Sequence, residues 1–173
     1  MPNPRPTADE TRRGETGGRI PRHCRGSRYT EPVLSKKSKY GVKAALYLAR
    51  EAGRGPIAIS EVATHERIPR KFLEAILLDL QRHGVLQSKR GKGGGYCLRG
   101  KPSEVTVGQI IRALEGPLAL IPCVSQTAYA RCEECVDEAT CGLRGAMKDV
   151  RDATARILDR TSLSTLNAKY SKK

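Results

Sequence analysis

The chain has 173 residues, of which 32 are lysine or arginine and 18 are aspartate or glutamate, giving a formal net charge of +14 at pH 7. This length holds one domain with an appendage and excludes a large multidomain machine. So positive a charge favours a polyanionic partner, nucleic acid first, over an enzyme that acts on acidic substrates. The excess is concentrated at residues 35–101, which hold fifteen basic and five acidic side chains.

The N-terminal segment differs from the rest in composition. Residues 1–33 are rich in proline and arginine and show almost no apolar periodicity, so they cannot bury enough surface to offset their ordering entropy. We expect a disordered basic tail, which either adds phosphate contacts or is a solvated extension. The sequence has no apolar run of membrane-spanning length and no signal-peptide core, so we expect a cytoplasmic protein without a membrane partner.

Residues 34–101 have the element order of a winged helix-turn-helix. Apolar side chains spaced by three and four residues predict a first helix that ends before Gly53. Ile57 and Ile59 alternate as a short strand, and Ser60 is placed to cap a short second helix. A mainly α fold is therefore expected.

A third helix and a hairpin complete this pattern. Pro69 suits the first helical position, and His83 precedes the glycine that stops the helix. Two short strands then flank a basic, glycine-rich tip at 89–95, which predicts the wing. The apolar stripe expected on the third helix is Phe72, Leu73, Ile76, Leu77 and Leu80.

The basic groups of this segment predict a DNA-binding surface. The start of the third helix would enter the major groove, where Arg70 is our base-reading candidate, and the wing would reach a phosphate or the minor groove. The start of helix one would add phosphate contacts. The candidate residues are Lys36, Lys37, Tyr40, Arg70, Lys71, Glu74, Arg90, Lys92, Gly93, Gly94 and Gly95.

The remainder of the chain predicts two more helices around a cysteine loop. Thr106 is placed to cap a fourth helix, so that 102–141 is interpreted as a linker helix followed by the loop. We interpret 142–173 as a long dimerisation helix with a C-terminal tail; alternatively, the apolar seam of this helix packs on its own domain. The seam consists of Met147, Val150, Thr154, Ile157 and Thr161.

Four cysteines within nineteen residues supply enough sulfur for a metal centre. Because the loop has one CxxC pair instead of two, an iron–sulfur cluster fits better than a zinc ribbon. A structural zinc site, a thiol–disulfide switch and inert surface cysteines are the alternatives. The candidate ligands are Cys123, Cys132, Cys135 and Cys141.

Other classes of function receive less support. We expect no enzyme, because the sequence contains no nucleotide-binding loop, no Ser-His-Asp set and no histidine-rich site. An iron–sulfur electron-transfer protein would not need such a charge on a helix-turn-helix. An RNA-binding module would need more stacking surface than Tyr40 and Tyr96 provide.

Four motifs carry a resemblance to a known family. The chain resembles the Rrf2 superfamily of bacterial transcription regulators, in particular the IscR-like, NsrR-like and RirA-like proteins, over about residues 34–166. The resemblance implies a homodimeric repressor or activator on a partly palindromic operator. Its motifs are SKKSKYG at 35–41, IPRKFLE at 68–74, RGKGGGY at 90–96 and VGQIIRALEG at 107–116.

The same resemblance implies that the loop holds a [2Fe–2S] or [4Fe–4S] cluster that reports iron, redox state or nitric oxide. Cluster-binding relatives commonly have three cysteines about five to seven residues apart and a fourth, non-cysteine ligand. Cys135 and Cys141 match this interval. The expected ligands are therefore Cys123, Cys135 and Cys141, with Cys132 either a fourth ligand or dispensable.

Overall fold

The computed structural model describes residues 34–170, so the basic segment at 1–33 and residues 171–173 lie outside the described residues. The described part is mainly α with one two-stranded sheet, which confirms the expected winged helix-turn-helix. In chain order the elements are α1 (Lys36–Arg50), α2 (Ile59–Glu66), α3 (Arg70–Arg82), β1 (Leu86–Lys89), β2 (Gly95–Leu98), α4 (Val107–Glu115), α5 (Gly142–Arg160) and α6 (Leu163–Tyr170).

The hydrophobic core lies between α1, α3 and α4. Leu73, Ile76, Leu77 and Leu80 of α3 are completely buried, as the 3.6-residue periodicity predicts. Each aliphatic side chain of this kind contributes about 1.5 to 3 kcal/mol when it is buried. Phe72, expected in the same stripe, is 40% exposed because it lies beside the buried face of the helix.

The helix α4 is a core element and not a linker. Its predicted cap is confirmed, because the Thr106 hydroxyl accepts from the Gln109 N–H at 3.2 Å and the Gln109 side-chain oxygen accepts from the Thr106 N–H at 3.0 Å. Ile110 and Leu114 are buried together with side chains of α1 and α3. The sequence suggests a boundary after residue 101, but the hydrophobic core continues across it into α4.

The expected strand at Ile57 and Ile59 is reduced to one bridge. Ile57 exchanges two backbone hydrogen bonds with Tyr96 of β2, at 2.9 and 2.8 Å, whereas Ile59 is already in α2. Ser60 is not the cap of α2, because the carbonyl of Ala58 accepts the first helical hydrogen bonds. The bridge ties the start of α2 to the wing.

The wing consists of β1, β2 and the intervening loop at 90–94. The strands are antiparallel, with Leu86 opposite Leu98 and Lys89 opposite Gly95. A Cβ at Gly95 would overlap the carbonyl of Ile57, so the bridge to α2 requires glycine there.

The C-terminal tail expected from the sequence is a helix that returns to the core. Leu163, the first residue of α6, is completely buried, and its N–H donates to the Val105 carbonyl at 2.9 Å. The Val107 N–H donates to the Thr161 carbonyl at 2.9 Å. The segment after α5 is thereby fixed against the start of α4.

The helix α5 has no buried residue within the described part of the chain. On the expected seam, Val150 is 41% and Ile157 65% exposed, while Met147, Thr154 and Thr161 are half-buried. The outer edge of this seam is therefore not covered by the rest of residues 34–170. None of the helices in that range combines the length and apolar character needed to cross a membrane.

Candidate nucleic-acid interface and cysteine loop

The start of α1 lies against α3 and presents exposed basic side chains. Lys36 is exposed, whereas the Lys37 ammonium forms an ion pair with Asp79 of α3 at 2.7 Å. The hydrogen bond from Lys37 holds the pKa of Asp79 below its ordinary value. Tyr40 packs edge-on against Phe72, with ring centroids 5.8 Å apart. Lys37 and Tyr40 thus also join α1 to α3.

The first turn of α3 carries the expected base-reading group. Arg70 is exposed, and its Nε donates to the Glu74 carboxylate at 3.1 Å along the helix surface. Lys71 is also exposed. Because the ion pair is exposed, Arg70 can exchange Glu74 for a phosphate or a base edge at little cost.

A polar groove of about 490 Å³ separates the start of α3 from the wing, and we call it the helix–wing groove. Its lining includes Arg70 from α3 and Lys89 and Arg90 from the wing. The bridge between Ile57 and Tyr96 closes one side of it. Three further polar side chains line the groove and were not expected from the sequence, because only the folded arrangement of α2, α3 and β1 brings them together: Ser60, Gln81 and Ser88.

The wing tip presents two exposed cations, Arg90 and Lys92. Gly93 has a positive φ of 76°, which shapes the tip. The fold of the wing itself requires glycine at positions 94 and 95, because a Cβ at Gly94 or Gly95 would overlap a backbone carbonyl. The sequence predicts a DNA contact for all three glycines, and the structure gives Gly94 and Gly95 a role in the geometry of the wing.

The cysteine loop between α4 and α5 is largely irregular. Cys123 is buried in a 3-10 turn at Pro122–Val124, whereas Cys132, Cys135 and Cys141 are half-buried. The Cys141 sulfur caps α5 by accepting from the Arg144 N–H at 3.5 Å. All four sulfurs are free thiols.

Two of the other thiols, those of Cys123 and Cys141, lie near Cys132. A hydrogen bond with the Cys123 thiol raises the pKa of Cys132, and removal from water and the nearby Cys141 add to this effect. For Cys135 the described contacts are made by the backbone, whose N–H donates to the Cys132 carbonyl at 3.2 Å. Cys132, which the family interval makes surplus, therefore lies near both Cys123 and Cys141.

The cysteine sulfurs of the loop do not form a preformed metal-binding site. Within residues 34–170, no three histidine, cysteine, aspartate or glutamate side chains are arranged to hold a metal ion. Beside the loop, the buried Nε of Arg144 finds no hydrogen-bond partner among the described residues, and the nearest carboxylate oxygen, on Glu138, is 3.7 Å away. The loop therefore places its thiols beside a buried Arg144 donor that has an ion-pair partner in Glu138 but no hydrogen bond.

Arg151 of α5 connects this helix to the buried part of the cysteine loop. Its guanidinium donates to the carbonyl of Val124, the residue after Cys123, and also to the Asp152 carboxylate at 2.5 and 2.8 Å. Further along α5, Asp159 forms a two-point ion pair with Arg112 of α4 at 2.5 and 2.9 Å.

Comparison with known proteins gives a consistent set of similarities. A family model described as "Rrf2: Iron-dependent Transcriptional regulator" matches residues 34–169. A putative HTH-type transcriptional regulator, rrf2-like, of Rhodobacter capsulatus is 40% identical over 139 residues, covering 79% of this chain and 93% of the relative. The HTH-type transcriptional regulator IscR of Aliivibrio salmonicida is 30% identical, covering 77% of this chain and 76% of the relative.

The solved structure of CymR, described as the global cysteine regulator of Bacillus subtilis, superimposes with a TM-score of 0.65. It is 30% identical in sequence and covers 80% of this chain and 98% of its own.

Proposed function

The chain belongs to the Rrf2 family of transcriptional regulators, and we propose that it binds operator DNA in the cytoplasm as a homodimer whose affinity depends on an iron–sulfur cluster in the cysteine loop. Like its relatives, it is a transcription regulator and not an enzyme. The observation that carries the sensing part is the loop of four free cysteines that leads directly into α5, whose first turn Cys141 caps, on the same chain as a basic winged helix.

The DNA-binding part of the proposal rests on the helix–wing groove and its flanks. The start of α3 enters the major groove, where Arg70 leaves Glu74 to read a base edge and Lys71 contacts a phosphate. Arg90 and Lys92 at the wing tip reach the neighbouring backbone or minor groove. Lys36 at the start of α1 contributes a further phosphate contact.

The homodimer part rests on the uncovered outer face of α5. A helix of nineteen residues without a buried side chain in the described chain needs a partner surface for its apolar seam. Beside this face is a largely apolar groove of about 450 Å³, lined by Leu118, Leu120, Val150 and Leu158 among others. A second copy of the chain would cover the seam and the groove, and would set the two wings on two half-sites.

The residues of the loop fit a sulfur-bound metal group. Thiolates are the ligands that iron–sulfur clusters require, and Cys123, Cys132 and Cys141 would hold the cluster with Cys135 as a further sulfur. When bound, the cluster supplies a redox-active, oxidant-sensitive group. The Arg144 Nε, which has no hydrogen-bond partner, would suit a negatively charged acceptor at this place. A structural zinc ion could use the same thiols.

A second candidate keeps the DNA-binding function and replaces the cluster by thiol chemistry. The Cys123 thiol raises the pKa of Cys132, so the two thiols lie near each other in the folded loop and are the pair that we expect to form a disulfide. Each sulfur would lose a proton and together they would give two electrons to an oxidant such as a peroxide, which is reduced to water and alcohol. The similarity to CymR, which is described as a cysteine regulator, supports this candidate.

Anaerobic purification followed by visible absorption and by iron and sulfide analysis separates these candidates. The cluster proposal expects a brown protein with iron and sulfide, and operator affinity that changes when the cluster is removed. Single alanine variants of Cys123 and Cys141 should lose the bound iron. In Cys97→Ala, a control on β2 outside the loop, iron should remain.

Equal operator affinity with and without the cluster would contradict the sensing proposal. A colourless protein that forms a Cys123–Cys132 disulfide and then changes its operator affinity would support the thiol candidate instead. One zinc per chain, with no effect of oxidant, would indicate a structural metal.

A further inference from the structure

Arg151 is unusual among the side chains of α5. Although α5 has no buried residue in the described chain, the Arg151 side chain is only 14% exposed. Its guanidinium uses Nη1 for the Val124 carbonyl and uses Nε and Nη2 for the Asp152 carboxylate. The Asp152 contacts fix the plane of the guanidinium, so the bond to the loop is held in one direction.

The carbonyl that Arg151 binds belongs to the best-buried part of the cysteine loop. Cys123 is 4%, Val124 3% and Ser125 8% exposed, whereas the rest of the loop around Cys132 is half-buried or exposed. A movement of the Cys123 sulfur displaces the next carbonyl along the chain. Through its hydrogen bond to Val124, Arg151 therefore contacts the loop directly next to Cys123.

The other end of α5 is fastened to the DNA-binding core. Asp159 lies eight residues after Arg151, about 12 Å along the helix, and its carboxylate is held at two points by Arg112 of α4. The core face of α4 packs with α1 and α3. One rigid helix thus joins the cysteine loop to the helices that carry the candidate DNA contacts.

We infer that Arg151 is the positioning residue through which the state of the cysteine loop is passed to α5, and from there through Asp159 and Arg112 to the DNA-binding core. This inference rests on the proposed function. In one state the Val124 carbonyl accepts from Arg151 and fixes the position of α5. Ligation or oxidation of Cys123 moves that carbonyl, the hydrogen bond breaks, and α5 adopts a second position relative to its partner in the dimer.

The test compares full-length wild type with Arg151→Met, which removes the donors and keeps the aliphatic stem. Arg156→Met is the matched control, because Arg156 is an exposed arginine of the same helix. Operator affinity is measured with the cysteine loop in two states, as purified anaerobically and after chelator treatment or mild oxidation. Wild type and Arg156→Met should show a ratio in the range of roughly 5 to 150, whereas the ratio in Arg151→Met should approach one.

A second readout does not depend on a bound cluster or on DNA. In reduced, metal-free protein, iodoacetamide should alkylate Cys123 roughly ten to a hundred times faster in Arg151→Met than in wild type, because a charged hydrogen bond no longer holds the turn closed. The modified cysteine is identified by mass spectrometry. Arg156→Met should react at the wild-type rate.

The possible outcomes distinguish the role of Arg151 from the proposed sensing function of the cysteine loop. A wild-type affinity ratio of one in both treatments overturns the sensing function and the inference together. A wild-type ratio well above one that persists in Arg151→Met, or unchanged alkylation of Cys123, overturns the inference alone. If Arg151→Met does not fold, Arg151→Lys, which keeps the charge but loses the two-point contact with Asp152, should reduce the ratio, and an unchanged ratio would overturn the inference.

Discussion

Arg70 lines the helix–wing groove, and its guanidinium forms an ion pair with Glu74. Because this ion pair is exposed to solvent, breaking it costs little free energy. We expect Arg70→Ala to weaken operator binding by about 1 to 3 kcal/mol and to relax the preference at particular base pairs. Affinities for the operator and for single-base variants of it measure both effects. Equal losses on operator and random DNA would contradict a base-reading role.

The wing cations should behave differently, because their tip position suits contacts with the DNA backbone. Arg90→Ala and Lys92→Ala should weaken operator and random DNA alike, and each should lower the slope of log affinity against log salt by about 0.9 for each phosphate that is no longer neutralised. Titrations at several salt concentrations measure the slope. Lys148→Ala, an exposed lysine on α5, should leave the slope unchanged; an unchanged slope in the wing variants would exclude a phosphate contact.

At the level of elements, the contact between the wing and α2 depends on Gly95. A Cβ there overlaps the Ile57 carbonyl, so Gly95→Ala must shift β2 or break the bridge. We expect a loss of about 1 to 3 kcal/mol in the free energy of unfolding and weaker DNA binding. Gly53→Ala is the matched control, since a Cβ at Gly53 meets nothing within 4 Å. Urea unfolding of both variants tests this, and equal effects would contradict it.

The ion pair between Arg112 of α4 and Asp159 of α5 should make the free energy of unfolding depend on pH. The hydrogen bonds from Arg112 hold the pKa of Asp159 below its ordinary value, so the pair contributes fully above about pH 5 and its contribution is lost as the pH falls through the lowered pKa. Because the two side chains are 37% and 45% exposed, we expect Asp159→Asn to cost only about 0.5 to 1 kcal/mol at pH 7.

Urea unfolding of wild type and Asp159→Asn at pH 7 and near pH 3 measures this contribution, with Asp149→Asn of the same helix as the control. The difference between wild type and Asp159→Asn should shrink at the lower pH. A difference of the same size at both pH values would show that the ion pair is not its cause.

Some of these structural features could be predicted from the local sequence pattern, whereas others depend on contacts between distant parts of the chain. The stripe of α3, the cap of α4 and the wing could be predicted because spacing, Thr106 and the glycine-rich tip act through neighbours in sequence. The bridge at Ile57 and the burial of Leu163 in α6 could not, because both depend on backbone partners more than thirty residues away. The proximity of Cys123 to Cys132 is likewise not visible in the local spacing, because it arises only when the loop folds back.

At the scale of the whole molecule, the uncovered face of α5 predicts the oligomeric state. Val150 and Ile157 lie on the exposed side of α5, away from the contacts of Arg151 and Asp159, so changing both to glutamate should disrupt a dimer without disturbing the core. The expected result is a folded monomer in sedimentation velocity. Arg156→Glu, which also places a glutamate on the exposed surface of α5, should remain dimeric.

Operator binding should then fall more than half-site binding, because in a dimer the second half-site is bound within an already formed complex. We expect the Val150→Glu and Ile157→Glu double variant to lose the advantage of the full operator over a single half-site, while its affinity for a half-site stays close to wild type. Binding to DNA with one and with two half-sites measures this. A double variant that still sediments as a dimer would place the interface elsewhere, and a monomer that keeps the full operator advantage would mean that dimerisation through α5 does not set operator affinity.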